Sequence, residues 1–190
     1  MGWQDGRTNN MAQFSDIWLK KFDVKVLDKI IEEFNLHHSD SYPVSAQPLF
    51  EALSIKVCTG IELPAGINAF TYRNHYDDYG VAVFNHELSE ASLNHAIFHE
   101  LGHLLFGEHG GRHGCVSKGG VVRKEEVEAD LFACYLAAPG WKVKELFSQG
   151  YDFDQVCRLL VITPRLLELR VELLKAKGKY FIPLLNIYID

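Results

Sequence analysis

The segment HELGH at positions 99–103 places two histidines four residues apart and a glutamate next to the first of them. Residues four apart on an α-helix lie on the same face, so the imidazoles of His99 and His103 can bind one metal ion. Glu100 would then lie beside the metal, where its carboxylate can accept a proton from a water molecule. This H-E-x-x-H pattern is typical of metal-dependent hydrolysis of peptide bonds.

The same segment could instead be a buried helix in which the histidines are incidental. Its apolar residues form a stripe of their own, and the two histidines and the glutamate lie together off that stripe. The stripe consists of Ile97, Phe98, Leu101, Leu104 and Leu105. We therefore favour a metal site over an incidental pair of histidines.

A second helical pattern, residues 124–136, contains four acidic side chains and ends before Pro139. Glu126 and Asp130 are four residues apart and share one face of this helix. Glu126 can thus reach the metal while Asp130 accepts a hydrogen bond from a ligating imidazole. Glu125 and Glu128 are better explained as part of a solvated helix face.

His109 is an alternative third metal ligand, because it follows His103 by six residues. The metzincin-type sites that have this spacing need a glycine at the position where this chain has Phe106. Here the glycine comes one residue later, at position 107. We therefore favour Glu126 as the third ligand, with His109 as the alternative.

Length and composition predict one domain with a sizeable core, because the chain has 190 residues of which 47% are hydrophobic. The net charge of -6 argues against nucleic acid as the main partner. Four cysteines without a C-x-x-C pair suit a reducing compartment. We find neither the pattern of a signal peptide nor an apolar segment of membrane-spanning length, and we expect a cytoplasmic protein without a membrane partner.

The patterns along the chain predict an α+β fold with a small sheet. Helices are expected within residues 14–36, and three strands at residues 54–58, 67–72 and 80–85. The last two strands should form a hairpin through residues 73–78, and we expect residues 80–85 to be a sheet edge that could bind an extended peptide. This gives an N-terminal helical segment at 1–44, a core at 45–140 and a C-terminal helical part at 141–190 of the same domain.

Residues 154–174 have the proportions of a helix-turn-helix, with a turn at 161–163. This would support DNA binding through Arg165 and Arg170 on the second helix. The mixed charges of that helix favour the alternative, in which both helices are scaffold for the metal site. We therefore expect no direct binding of nucleic acid.

Two sequences, FHELGHLLFG and EEVEADLFACYLAAP, resemble the zinc metallopeptidases of the ImmA/IrrE type, and ITPRLLELRVELL is similar to a segment that follows them in that family. The resemblance covers about residues 45–176. It implies a zincin-like fold and one zinc ion, with His99, His103 and Glu126 as ligands and Glu100 as the catalytic base. The chain departs from the family in the glycine-rich residues 107–120 and in its first 40 residues.

The resemblance also implies a substrate, because enzymes of this type cleave helix-turn-helix repressors. We therefore expect a zinc-dependent endopeptidase that acts on a protein, with a DNA-binding repressor as the substrate. The alternative is a non-catalytic module in which a metal only stabilises the fold and which binds protein or DNA.

Overall fold

The computed structural model describes residues 24–37, 42–73, 79–106, 113–116 and 124–176. These residues form an α+β structure of seven helices and four strands. In chain order they are α1 Val24–Glu33, α2 Gln47–Ala52, β1 Ile55–Ile61, β2 Ile67–Arg73, β3 Gly80–Asn85, α3 Glu90–Phe106, β4 His113–Val116, α4 Lys124–Ala137, α5 Gly140–Ser148, α6 Phe153–Leu160 and α7 Pro164–Ala176.

The four strands form one mixed sheet in the order β1-β3-β2-β4. β2 and β3 pair antiparallel from Ala69 opposite Phe84 to Arg73 opposite Gly80, which confirms the predicted hairpin. β1 lies parallel to β3, and β4 lies antiparallel to β2. β4 falls within the glycine-rich residues 107–120, where we predicted no strand.

The prediction that residues 80–85 form a sheet edge is wrong. β3 lies between β1 and β2, and its two neighbours occupy both sides of its backbone. Its burial fits this position, because five of its six residues are buried, as is usual for a strand inside a sheet. In the described part of the chain, the open edges are those of β1 and β4.

The two helices predicted from the acidic and histidine-containing segments pack closely on each other. Ser89 caps α3, because its Oγ accepts a hydrogen bond from the backbone N–H of Ser92 at 3.2 Å. Gly102 allows α3 to approach α4, since a Cβ atom at this position would lie 2.8 Å from the Cα of Ala129. α3 also packs on β2 and β3, so the helix lies between the sheet and α4.

The C-terminal helices α6 and α7 lie where the sequence predicted a pair of helices joined by a turn. Asp152 and Gln155 form a capping box at the start of α6. Thr163 accepts a hydrogen bond from the backbone N–H of Leu166 at 3.3 Å and so caps α7. α7 packs against α4, and seven of its thirteen residues are buried. Within the described ranges, no helix has both the length and the hydrophobicity needed to cross a bilayer.

Candidate metal centre

Three side chains from α3 and α4 bring their donor atoms to one point. The Nε2 atoms of His99 and His103 are 3.0 Å apart. The carboxylate of Glu126 lies 3.3 Å from His99 Nε2 through one oxygen and 3.5 Å from His103 Nε2 through the other. The structure thus brings together, from two helices, the three residues that the sequence predicted as ligands, although His103 and Glu126 are 23 residues apart in sequence.

The dimensions of this triangle fit a small divalent metal ion. A tetrahedral zinc ion with ligands at about 2.0–2.1 Å would place its ligand atoms about 3.3–3.4 Å from one another. The three observed separations are 3.0, 3.3 and 3.5 Å. Two imidazoles and one carboxylate are also a ligand set found in catalytic metal sites. These buried and half-buried groups could therefore hold a metal ion.

Asp130 sets the orientation of the first histidine. Its Oδ1 atom lies 2.9 Å from Nδ1 of His99. With the proton on Nδ1 donated to this carboxylate, the lone pair of Nε2 is directed at the point shared with His103 and Glu126. This is the supporting role that the sequence predicted for Asp130.

The two carboxylates of the site are held in their ionised form. Contacts with the imidazoles of His103 and then of His99 keep the pKa of Glu126 well below its ordinary value. Burial alone would raise the pKa of Asp130, but hydrogen bonds from His95 and His99 outweigh it and hold that pKa far below its usual range. The site therefore carries two negative charges at neutral pH, as a cation site requires.

Glu100 lies next to the site but outside the triangle of donor atoms. Its side chain is buried, with 1% of the residue exposed. Its Oε2 accepts a hydrogen bond of 2.6 Å from the hydroxyl of Thr71, a buried residue of β2. The sheet therefore fixes the carboxylate that follows the first ligating histidine.

Four residues at the site were not predicted from the sequence. Thr71 holds Glu100, as described above. His95 lies 3.3 Å from Asp130 through Nε2 and 3.2 Å from the Thr163 hydroxyl through Nδ1, and Arg165 donates to the other oxygen of Asp130 at 3.3 Å. His95 precedes His99 by four residues, and this spacing could have identified it. Thr71 lies outside every motif of the sequence, and Thr163 lies in the predicted turn at 161–163, where no pattern indicated a role at this site.

The turn between α6 and α7 is attached to α3, the helix that carries His99 and His103. The side chain of Asn94 donates to the carbonyl of Val161 at 3.0 Å. Val161 has a left-handed backbone with φ 52°, which is unfavourable for a β-branched residue. The bond from Asn94 helps to hold this strained turn against α3, close to Thr163 and Arg165.

The two arginines considered for DNA binding are both engaged within the fold. Arg165 pairs with Asp130. Arg170 is 4% exposed, and its Nε donates to the carbonyl of Ala138 at 2.7 Å. The described structure thus supports the scaffold interpretation of α7. His109, the alternative metal ligand, lies outside the described residues, as do the glycine-rich residues at 107–112 and 117–120.

A comparison of the sequence with protein-family models and with curated proteins found no match. The geometry of the centre is therefore the main guide to its chemistry.

Proposed function

We propose that this chain is a zinc-dependent endopeptidase with a zincin-like core. The observation that carries the proposal is the triangle of donor atoms from His99, His103 and Glu126, with Glu100 buried beside it. The resemblance to ImmA/IrrE-type peptidases supports the same set of residues.

An open coordination position favours catalysis over a purely structural metal. Structural zinc sites have four protein ligands, whereas catalytic sites have three and leave one position for water or substrate. Within the described ranges, the cluster contains three potential ligands. The Glu126 side chain is 46% exposed whereas that of His99 is 8% exposed, so the site opens to solvent on the side of the glutamate.

Each residue of the site has its own role in the proposed hydrolysis of a peptide bond. A bound zinc ion would lower the pKa of a water molecule and polarise the scissile carbonyl. Glu100 would accept a proton from a water molecule at the site and pass it to the leaving amine. Thr71 holds the carboxylate of Glu100 in place, and Asp130 keeps Nε2 of His99 directed at the metal.

We propose an extended segment of a protein as the substrate. The open edge of β4 can pair with such a segment through its backbone. Of the two sheet edges in the described residues, β4 is the one next to β2, the strand that carries Thr71. The net charge of -6 would favour a basic partner, such as the DNA-binding repressor that the resemblance implies.

The deciding experiment compares the wild type with Glu100→Gln. We expect both proteins to bind one zinc ion and the partner repressor, and only the wild type to cut it. Glu125→Gln is the matched control, because Glu125 is an exposed glutamate one residue before the ligand Glu126. Cleavage by Glu100→Gln at the wild-type rate would contradict the proposal.

A second candidate is a non-catalytic module whose metal only stabilises the fold. It is favoured by the origin of the ligands on two closely packed helices, which a metal would cross-link. In that case removal of the metal would lower stability, and the wild type would cut no partner at any metal concentration.

A further inference from the structure

A second group of polar side chains lies further along α4 and α7, beyond the metal centre. A cavity of about 200 Å³ is lined there by residues of α1, α4 and α7 and by the start of α5. This is roughly the volume of seven water molecules in the liquid. The cavity is therefore large enough for a small organic molecule and too small for a peptide.

Arg170 contributes a buried cation to the cavity wall. It is 4% exposed, its Nε donates to the Ala138 carbonyl at 2.7 Å, and its guanidinium lies 4.1 Å from the centre of the Tyr135 ring. A guanidinium has five N–H donors, of which one goes to Ala138 and one to the Tyr135 side chain, so three remain. The fork of the remaining donors matches a carboxylate in two-point geometry.

Asp28, an exposed residue of α1, contributes the opposite charge at the hydroxyl of Tyr135. Its carboxylate accepts the Tyr135 hydroxyl at 2.5 Å. Burial and this hydrogen bond raise the pKa of Tyr135 to about 12, so the hydroxyl remains a donor at neutral pH. A carboxylate accepts several hydrogen bonds, so Asp28 can also receive one from an ammonium group.

The rest of the wall consists of His37, whose Nε2 lies 2.8 Å from the Leu136 carbonyl oxygen, and of apolar groups. Leu173 and Leu174 of α7 are buried, and Trp141 lies beside the cavity with 45% of its surface exposed. A ligand could therefore bury an apolar group here while its charged groups reach Arg170 and Asp28.

We propose that this cavity binds a free α-amino acid with an apolar side chain, with its carboxylate on Arg170, its ammonium on Asp28 and its side chain against Trp141 and Leu173. The site is independent of the metal centre, since it shares no residue with it. The two are linked by α7, because this helix also carries Arg165, which donates to Asp130.

Isothermal titration calorimetry of the full chain with L-leucine tests the proposal. Two analogues separate the charges: L-leucinamide lacks the carboxylate and 4-methylpentanoate lacks the ammonium. We expect each analogue to bind about tenfold more weakly than L-leucine, because each loses a charge-assisted hydrogen bond. No binding of L-leucine up to about 10 mM, or equal binding of L-leucine and 4-methylpentanoate, would overturn the proposal.

Variants locate the site. Asp28→Asn keeps an oxygen for the Tyr135 hydroxyl but removes the charge, so L-leucine should bind about tenfold more weakly and 4-methylpentanoate as before. Glu32→Gln is the control, because it removes an exposed charge from the same helix. Arg170→Lys should weaken both ligands, with circular dichroism as the check of folding. Unchanged binding of L-leucine to Asp28→Asn would overturn the proposal whether or not the Arg170 variant folds.

Discussion

The helix pair α3 and α4 and the helix pair α6 and α7 use their polar side chains in different ways. Around α6 and α7, donors meet acceptors: Asn94 bonds the Val161 carbonyl, and Arg170 bonds the Ala138 carbonyl. Between α3 and α4, three side chains converge instead: Nε2 of His99 lies 3.0 Å from Nε2 of His103 and 3.3 Å from the carboxylate of Glu126. A metal ion bound there would accept a lone pair from each of the three groups. The contacts around α6 and α7 hold helices in place, whereas the three groups between α3 and α4 could hold a metal ion.

Removal of the two histidines of the candidate site should have the largest effect on metal binding. His99→Ala combined with His103→Ala should abolish stoichiometric zinc, measured by elemental analysis, because a carboxylate alone is a weak site. Retention of one zinc ion per chain would place the metal elsewhere.

The sequence left two candidates for the third metal ligand, Glu126 and His109. Glu126→Ala should weaken zinc binding by several orders of magnitude, measured by competition with a chelator, because one of three protein ligands is lost. His109→Ala is the comparison, and we expect it to change zinc affinity little. The opposite ranking would make His109 the ligand.

The spacing of the ligands explains why the sequence predicted them. His99 and His103, and likewise Glu126 and Asp130, lie four apart on one helix, so local periodicity determines their shared face. The supporting contacts are not local: Thr71 reaches Glu100 across 29 residues, and Thr163 reaches His95 across 68. Strand order also depends on distant pairing. The alternation of residues 80–85 therefore predicted a strand without revealing that β1 would cover its open side.

Arg165 and Arg170 also show that local sequence pattern does not determine which side chains are buried. Charge alone suggested that both could contact DNA. Burial is decided by the packing of α7 on α4, and that packing places Arg170 inside and pairs Arg165 with Asp130. Helix and turn were thus predictable from local pattern, whereas the direction of each arginine was not.

The close packing of α3 on α4 can be tested at Gly102. Gly102→Ala would place a Cβ atom 2.8 Å from the Cα of Ala129, and the helices would have to separate. We expect the free energy of unfolding to fall by about 1–3 kcal/mol, measured by urea denaturation, together with weaker zinc binding. Glu125→Gln, at an exposed position of the partner helix α4, serves as the control. An unchanged stability of Gly102→Ala would show that α3 and α4 are not in close contact.

The support of His99 by Asp130 should have a smaller effect than a ligand. Asp130→Asn should weaken zinc binding by about 10–100-fold, the usual effect of losing such a partner. Arg165→Ala should have a weaker effect in the same direction, because it acts on His99 only through Asp130. If Arg165→Ala weakens zinc more than Asp130→Asn does, then the C-terminal helices affect the site by another route.

The pH dependence of the metal-free protein should give the smallest effect. The pKa of Asp130 in the folded chain lies far below its ordinary value of 3.8. A carboxylate with a lowered pKa contributes stability that is present above the unfolded pKa and is lost as the pH falls below it. We therefore expect the free energy of unfolding of the chelator-treated protein to decrease below about pH 4, measured by urea denaturation. Asp130→Asn should show a flatter decrease over this range, because its amide does not titrate. The bonds to the backbone carbonyls of Val161 and Ala138 should not contribute, because a carbonyl does not titrate. If the free energy of unfolding falls equally steeply with pH in the wild type and in Asp130→Asn, then the loss of stability in acid arises from groups other than Asp130.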